Sequence, residues 1–237
     1  MHLRVILPIT AQKLLGPVEV EAKSWASPGT VVDTVQIAHG PESIESDYDE
    51  ALALPAILNE VSRAVTDGVD GIFVSCFAEP AVHAAREIAR IPIFGGFQPA
   101  VHSALGMADR IGILSILPDV LPGIDRRVGS YGLRDRIVAI TSVDMGVLEV
   151  DQHDVLLDRL EAAARDQIVQ HRAEAFILGC TGMIGVAAQL QERLSTDGPI
   201  PVLDPTGAAI VALESAIRLN LKPSSLAYHA PRPKSRS

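Results

Sequence analysis

The chain has 237 residues, 48% of them hydrophobic and 21% charged, and a net charge of −9. This is the balance of a globular chain able to bury a real core. The acidic excess argues against nucleic acid or an anionic membrane as partner, because both need clustered Lys and Arg; the one basic run is a short tail, Arg232, Lys234 and Arg236, read as a solvated terminus.

In chain order, MHLRVILPIT opens with a strand over Leu3–Leu7. Its apolar stretch is too short for a signal peptide and lacks a small-residue cleavage site. No later run reaches the roughly 18–20 apolar residues of a membrane-spanning helix. A cytoplasmic location with no membrane partner is therefore expected. A second strand is expected at Val18–Lys23, where Val and Glu alternate, then a helix over 48–67 and a strand over Gly71–Ser75. A helix over 79–90, a strand over Ile91–Phe94 and a helix over 97–107 follow. The second half continues with a strand over Arg110–Leu114, a helix over 119–131 and a strand over Ile137–Ile140. A helix over 152–172 comes next, with Val155, Leu156, Leu160, Ala163 and Ile168 leaning to one side. The strand Ala175–Leu178, a helix over 183–195, the strand Ile200–Leu203 and a helix over 205–219 complete the pattern. Strand–helix alternation predicts an α/β fold with mainly parallel sheets covered on both faces.

The halves echo one another. RVILPIT (4–10) resembles RIGILSI (110–116), and each is followed at a similar interval by a cysteine: 76 − 7 = 69 and 180 − 114 = 66. IPIF (91–94) and IPVL (200–203) come later in each half. The spacing predicts two similar α/β lobes related by a pseudo-twofold axis. The first would span 1–106, completed by 207–237, and the second 107–206. Ligands of open α/β sheets bind beyond the carboxyl ends of the strands. Cys76 and Cys180, the only cysteines, both sit at such ends, so they are expected on opposite walls of one interlobe cleft.

A thiol pair in that position suits cofactor-free racemisation of a carbon acid beside a carbonyl. One thiolate removes the proton, the other thiol returns one to the opposite face, and the reverse reaction swaps the roles. A helix beginning just after each cysteine would favour the thiolate. Ser75, Ser115 and Thr181 offer hydroxyls, and SCFAEP and GCTGM offer backbone N–H groups, for the enolate oxygen. Against this stands cysteine's habit of acting as a small buried hydrophobe. No metal site is expected, since the seven histidines are scattered without HExxH or C-x-x-C spacing. No P-loop, well-formed dinucleotide fingerprint or G-x-S-x-G elbow is present. The reading needs no cofactor.

Taken together, SCFAEPAVHAARE, IPIFGGFQPAVHSAL, RIGILS, EAFILGCTGM and YHAPRPK resemble the hydantoin racemase family of the aspartate/glutamate racemase superfamily. The resemblance implies two α/β lobes with the site between them, and a cofactor-independent racemase of 5-substituted hydantoins or allantoin. Cys76 and Cys180 would then be the acid/base thiols, with Pro8, Thr10, Ser75, Phe77, Ser115, Thr181 and Gly182 around a small-molecule substrate, in a homo-oligomer. The first-strand loop departs from the family's Asn-Pro-Asn-Thr: Leu7 and Ile9 stand at the asparagines, and Gln98 where Glu is usual. That change points to an apolar substituent on the substrate. A cofactor-free isomerase or decarboxylase of the same superfamily, and a non-catalytic binding protein, are the alternatives.

Overall fold

The computed structural model describes residues 1–235; Arg236 of the basic tail lies outside the described residues. Two four-stranded sheets form the frame, and every strand pair in them is parallel. The first contains β1 (His2–Leu7), β2 (Val31–Gln36), β3 (Gly71–Val74) and β4 (Ile93–Phe94), in the order β2-β1-β3-β4. The second contains β5 (Ile111–Ser115), β6 (Ile137–Ser142), β7 (Ala175–Leu178) and β8 (Val202–Leu203), in the order β6-β5-β7-β8. The orders correspond strand for strand. RVILPIT and RIGILSI carry the equivalent central strands β1 and β5, so the repeat in the sequence is a repeat of structure. The continuous apolar runs of β3, β5 and β7 are buried along their whole length, as parallel strands covered on both faces require.

Among the described residues eight α-helices surround the sheets: α1 (Leu15–Trp25), α2 (Asp47–Thr66), α3 (Val82–Ile88), α4 (Phe97–Leu105), α5 (Leu121–Ser130), α6 (His153–His171), α7 (Ala187–Leu194) and α8 (Pro205–Arg218). None of the described helices is long and apolar enough to cross a membrane. Two expectations need correction. Val18–Lys23 is part of α1 and not a strand: Val18, Glu21 and Ala22 are buried at helical spacing, while Val20 is 70% exposed. The Val-Glu alternation imitates a period of two, and tertiary packing overrides it. The edge strand that pairs with β1 is instead β2, whose Asp33, Thr34 and Gln36 mask its strand character. On α6 the buried face is Leu156, Leu157, Leu160, Ala164 and Gln167, with Val155 turned outward.

The connections place two helices across the lobes. α4 follows β4 of the first sheet but packs on β7 and β8 of the second. α8 follows β8 of the second sheet but packs on β3 and β4 of the first, against α1. The exchanged helices also contact each other. Phe97 at the start of α4 is fully buried with Ala100, Val101 and Ala104 in a cluster that includes Ile111, Ile113 and Ile177. α8 is capped by Asp204, whose Oδ1 accepts from the Gly207 N–H at 2.8 Å, with Pro205 at the first helical position. The Trp25 ring lies so near Gly207 that a Cβ there would come within 2.8 Å of it, so α1 and α8 close only on glycine.

Removing the Phe97 ring would leave a cavity between α4 and the second sheet. Phe97→Ala is expected to lower stability by about 3–5 kcal/mol, measurable as a reduced midpoint in urea unfolding with little change in slope.

Candidate active site

Between the lobes lies a pocket with about 820 Å³ of empty space, its open mouth included. Its walls begin where the central strands end. Leu7 ends β1 and Pro8 and Ile9 follow it, Ser75 to Ala78 follow β3, Ile116 follows β5, and Gly179 to Gly182 follow β7. Leu14 and Val18 of the α1 region, together with Ile44, Val120, Ile124 and Val147, make the rest largely apolar. Charge gathers in Asp47 and Glu50 of α2, Asp119, and Arg127 of α5.

Cys76 and Cys180 both line this pocket, and both are free thiols. Neither is followed directly by a helix: α3 starts only at Val82 and α7 at Ala187. What meets each sulfur is a tight turn. The N–H of Gly182 donates to Cys180 Sγ at 3.3 Å, and the N–H of Ala78 serves Cys76, in each case two residues beyond the cysteine. The first turn is built through left-handed residues Glu79 and Ala81, with the Cys76 carbonyl accepting from the N–H groups of Glu79 (3.2 Å) and Gly96 (3.0 Å). In the second, the Cys180 carbonyl accepts from the Met183 N–H at 3.3 Å.

The turn amides do not make either thiol acidic. Each sulfur keeps some surface open to the pocket but sits deep between the lobes, and depth dominates. Burial, aided by the negative charge of Glu50, pushes the Cys76 thiol up to about 12; the Ala78 N–H and Arg127 oppose this weakly. Burial pushes Cys180 up to about 11, against the N–H groups of Gly182 and Met183. No helix starts directly after either cysteine to favour its thiolate, and burial outweighs the turn amides. The thiols remain near one another in strength, and Cys76 feels the charge of Cys180.

Of the other residues singled out in the sequence, Pro8, Ser75, Phe77, Thr181 and Gly182 line the pocket. Ser75 is 3% exposed, and its Oγ has no hydrogen-bond partner among the described residues. Phe77 packs edge-to-face on Phe97, with ring centroids 5.4 Å apart, which ties the first cysteine turn to α4. Thr10 and Ser115 are not on the wall. The Thr10 hydroxyl and N–H both donate to the Pro41 carbonyl, at 3.2 and 2.9 Å. Ser115, fully buried, donates its hydroxyl to the Gly179 carbonyl at 3.3 Å and sits behind the second cysteine turn. Gln98 is also away from this pocket: its N–H donates to Glu79 Oε1 at 2.9 Å, and its Oε1 accepts from Arg86 at 3.0 Å. Leu7 and Ile9, buried at 3% and 5% exposure, do form the apolar wall.

Several contributors have no signal in the sequence. Glu50 of the first lobe faces Arg127 of the second at 3.8 Å, and Arg126 pairs with Asp47 beside them. Glu45 Oε1 accepts the Val147 N–H at 2.8 Å, a third link across the mouth. Glu79 is buried, and besides the Gln98 N–H its carboxyl accepts from the hydroxyl of Tyr131, the residue that ends α5, at 3.3 Å. Among the described residues no group of three or more His, Cys, Asp or Glu side chains is arranged to hold a metal ion.

Because only the thiolate alkylates, thiols raised this far above the free value of about 8.5 are expected to react with iodoacetamide at neutral pH at least about a hundredfold more slowly than free cysteine. Peptide mass spectrometry of each site over time measures this, and reaction at the free rate would contradict the dominance of burial.

The Asp/Glu/Hydantoin racemase family model matches residues 3–213. The chain is 32% identical over 227 residues to a hydantoin racemase of Pseudomonas sp. (strain NS671), covering 95% of this chain and 90% of that one. It is likewise 32% identical over 227 residues to a hydantoin racemase of Paenarthrobacter aurescens, covering 94% of each. Among solved structures, an allantoin racemase from Klebsiella pneumoniae superposes with a TM-score of 0.94 at 30% identity, covering 100% of this chain and 96% of that one. With two parallel sheets in matching order and a site at their carboxyl ends, the chain belongs to the Asp/Glu/hydantoin racemase family and is a racemase, an isomerase by reaction class.

Proposed function

We propose that the chain racemises hydantoins carrying an apolar 5-substituent, by a two-base mechanism in which Cys76 and Cys180 serve opposite faces of C5. The observation that carries this reading is that both thiols line one interlobe pocket. The thiolate of one cysteine takes the C5 proton and becomes a thiol. The C–H electron pair moves into the ring as an enolate on the adjacent carbonyl oxygen. The second cysteine gives its proton to the opposite face, and the enolate collapses to the other enantiomer. The charge has then passed from one sulfur to the other, and the reverse turnover or a proton exchanged with water resets it. Such a cycle needs two groups of similar strength, and the two thiols are close. Burial makes each thiolate scarce at neutral pH, but a stronger base once formed.

Ser75 supports the reading independently. A buried hydroxyl without a partner costs about 1–3 kcal/mol. A substrate oxygen on the pocket wall would accept its proton and relieve that cost. The side-chain hydroxyl of Thr181, at the end of β7 in the other lobe, is a further donor on the pocket lining.

The relatives' names include both hydantoin and allantoin racemases. The apolar wall of Leu7, Ile9, Leu14 and Ile44 favours an alkyl or aryl substituent over the polar ureido group of allantoin. This reading keeps the expectation of a cytoplasmic homo-oligomer working on a small molecule without a cofactor.

Two measurements test it. 5-Benzylhydantoin or 5-isobutylhydantoin is expected to show a kcat/KM at least about tenfold above allantoin, from a difference of 1–3 kcal/mol in an apolar pocket; a higher value for allantoin refutes the apolar-substituent assignment. Cys76→Ser and Cys180→Ser are each expected to lower racemisation about 10²–10⁴-fold. Each variant should still exchange the C5 proton with D₂O from one enantiomer only, read by NMR. A single variant racemising near the wild-type rate removes the two-base mechanism.

A further inference from the structure

A second buried carboxyl group touches the other cysteine turn from across the lobes. Glu21 of α1, 7% exposed, accepts the Gly185 N–H on Oε1 at 3.0 Å. Gly185, in the left-handed region with φ +75°, lies in the next turn of the loop that runs from Cys180 to α7. The Glu21 carboxyl also faces the carboxyl of Asp204, the cap of α8, near enough for the two to share a proton. Asp204 is itself 9% exposed and already occupied by the Gly207 N–H. Two ionised carboxylates offer only acceptors, so this contact requires a proton between them. We propose that Glu21 is a positioning residue: as a neutral acid it donates to Asp204 and accepts from Gly185, and so fastens the Cys180 turn to the first lobe and to the start of α8. The assignment of the turn's purpose rests on the role proposed above for Cys180.

The surroundings leave the proton little alternative. Burial first, and the charge of Asp204 second, push the Glu21 carboxyl up to about 8, and burial raises Asp204 as well. Among the described residues no cation compensates. Lys23 on the same helix pairs with Glu19, Lys13 before it pairs with Asp151, and Arg4 of β1 pairs with Asp33 of β2. Farther along α8, Glu214 is engaged by Ser27 and Thr30. When pH rises through about 8 the shared proton is lost and two anions face each other in a dry site; Glu21 still accepts the Gly185 N–H but is pushed from Asp204, so the turn loses its tie to the start of α8. A carboxyl raised in the fold binds a proton that the unfolded chain has already released above about pH 4.3. Stability therefore falls as pH climbs from there to about 8, and then levels off.

The test uses the two thiols as internal references and needs no substrate. Both titrate well above 9, so from about pH 7 to about pH 9 each alkylates about tenfold faster per pH unit, and their ratio is insensitive to thiol ionisation. In the wild type the Cys180-to-Cys76 ratio of iodoacetamide labelling, read by peptide mass spectrometry, is expected to rise at least threefold over that range. In Glu21→Gln, whose amide donates to Asp204 and accepts from Gly185 without titrating, it is expected to stay flat. Asp204→Asn, which keeps the cap and removes the repulsion, should also flatten it and serves if Glu21→Gln does not fold. The melting-temperature gap between variant and wild type should widen from about pH 5 to about pH 8. A flat wild-type ratio, or an equal rise in the variants, overturns the positioning role. A gap independent of pH overturns the shared proton. A widening gap and rising ratio in a protein that racemises no hydantoin would leave the latch standing and sink the proposed reaction instead.

Discussion

The burial of apolar surface between the exchanged helices and the two sheets is the interaction on which the molecule depends. A parallel sheet exposes two apolar faces and must have both covered. Here the chain covers one face of each sheet with a helix that follows the other. α4, led by Phe97, closes the second sheet; α8, led by Asp204 and packed on Trp25, closes the first. Neither lobe can complete its core alone. The carboxyl ends of β1, β3, β5 and β7 are thereby held around one space, and the pocket exists because of that exchange.

Holding the two cysteine turns inside this space creates a conflict between access and ionisation. Depth removes water from both sulfurs and raises them; the Ala78 N–H at Cys76 and the Gly182 and Met183 N–H groups at Cys180 recover only part of the loss. At Cys76 the charge of Glu50 adds to burial and Arg127, its loose partner across the mouth, offsets only part of it. The ion pairs at the rim are open to water and add little to stability. Their geometric effect is to join α2 of one lobe to α5 of the other.

Each cysteine turn is also tied to the opposite lobe by a buried glutamate. Glu79 reaches from the first turn to the start of α4 and to Tyr131 just after α5. A Cβ on Gly95 would come within 2.4 Å of the Glu79 side chain, so the close passage of β4 past this carboxyl depends on glycine. Glu21 reaches from α1 to the second turn. Carboxyls in such places must be hydrogen-bonded or neutral, because a lone buried charge is too costly. Glu79 meets this by accepting from an amide and a phenol, and Glu21 by keeping its proton. The polar groups of the interface thus define one relative placement of the lobes, which apolar packing would specify less sharply.

Strand and helix order, the repeat, and the placement of Cys76 and Cys180 at strand ends were legible in the residues, because short β-branched runs and helical spacing follow from local geometry. So was the apolar character of Leu7 and Ile9. Local pattern misread Val18–Lys23, where alternating Val and Glu suit a strand in isolation but the face that meets α8 selects a helix. That misreading hid Glu21 as an outward-facing residue and left β2 unseen. Thr10 and Ser115 lay near the site in sequence, yet their hydroxyls are taken by backbone carbonyls whose positions only the folded loops define. The height of the thiol pKa values, the partners of Glu79 and Glu21, and the crossing of α4 and α8 were decided by tertiary structure alone. Each depends on groups far apart in the chain, and on a burial that no local stretch of sequence carries.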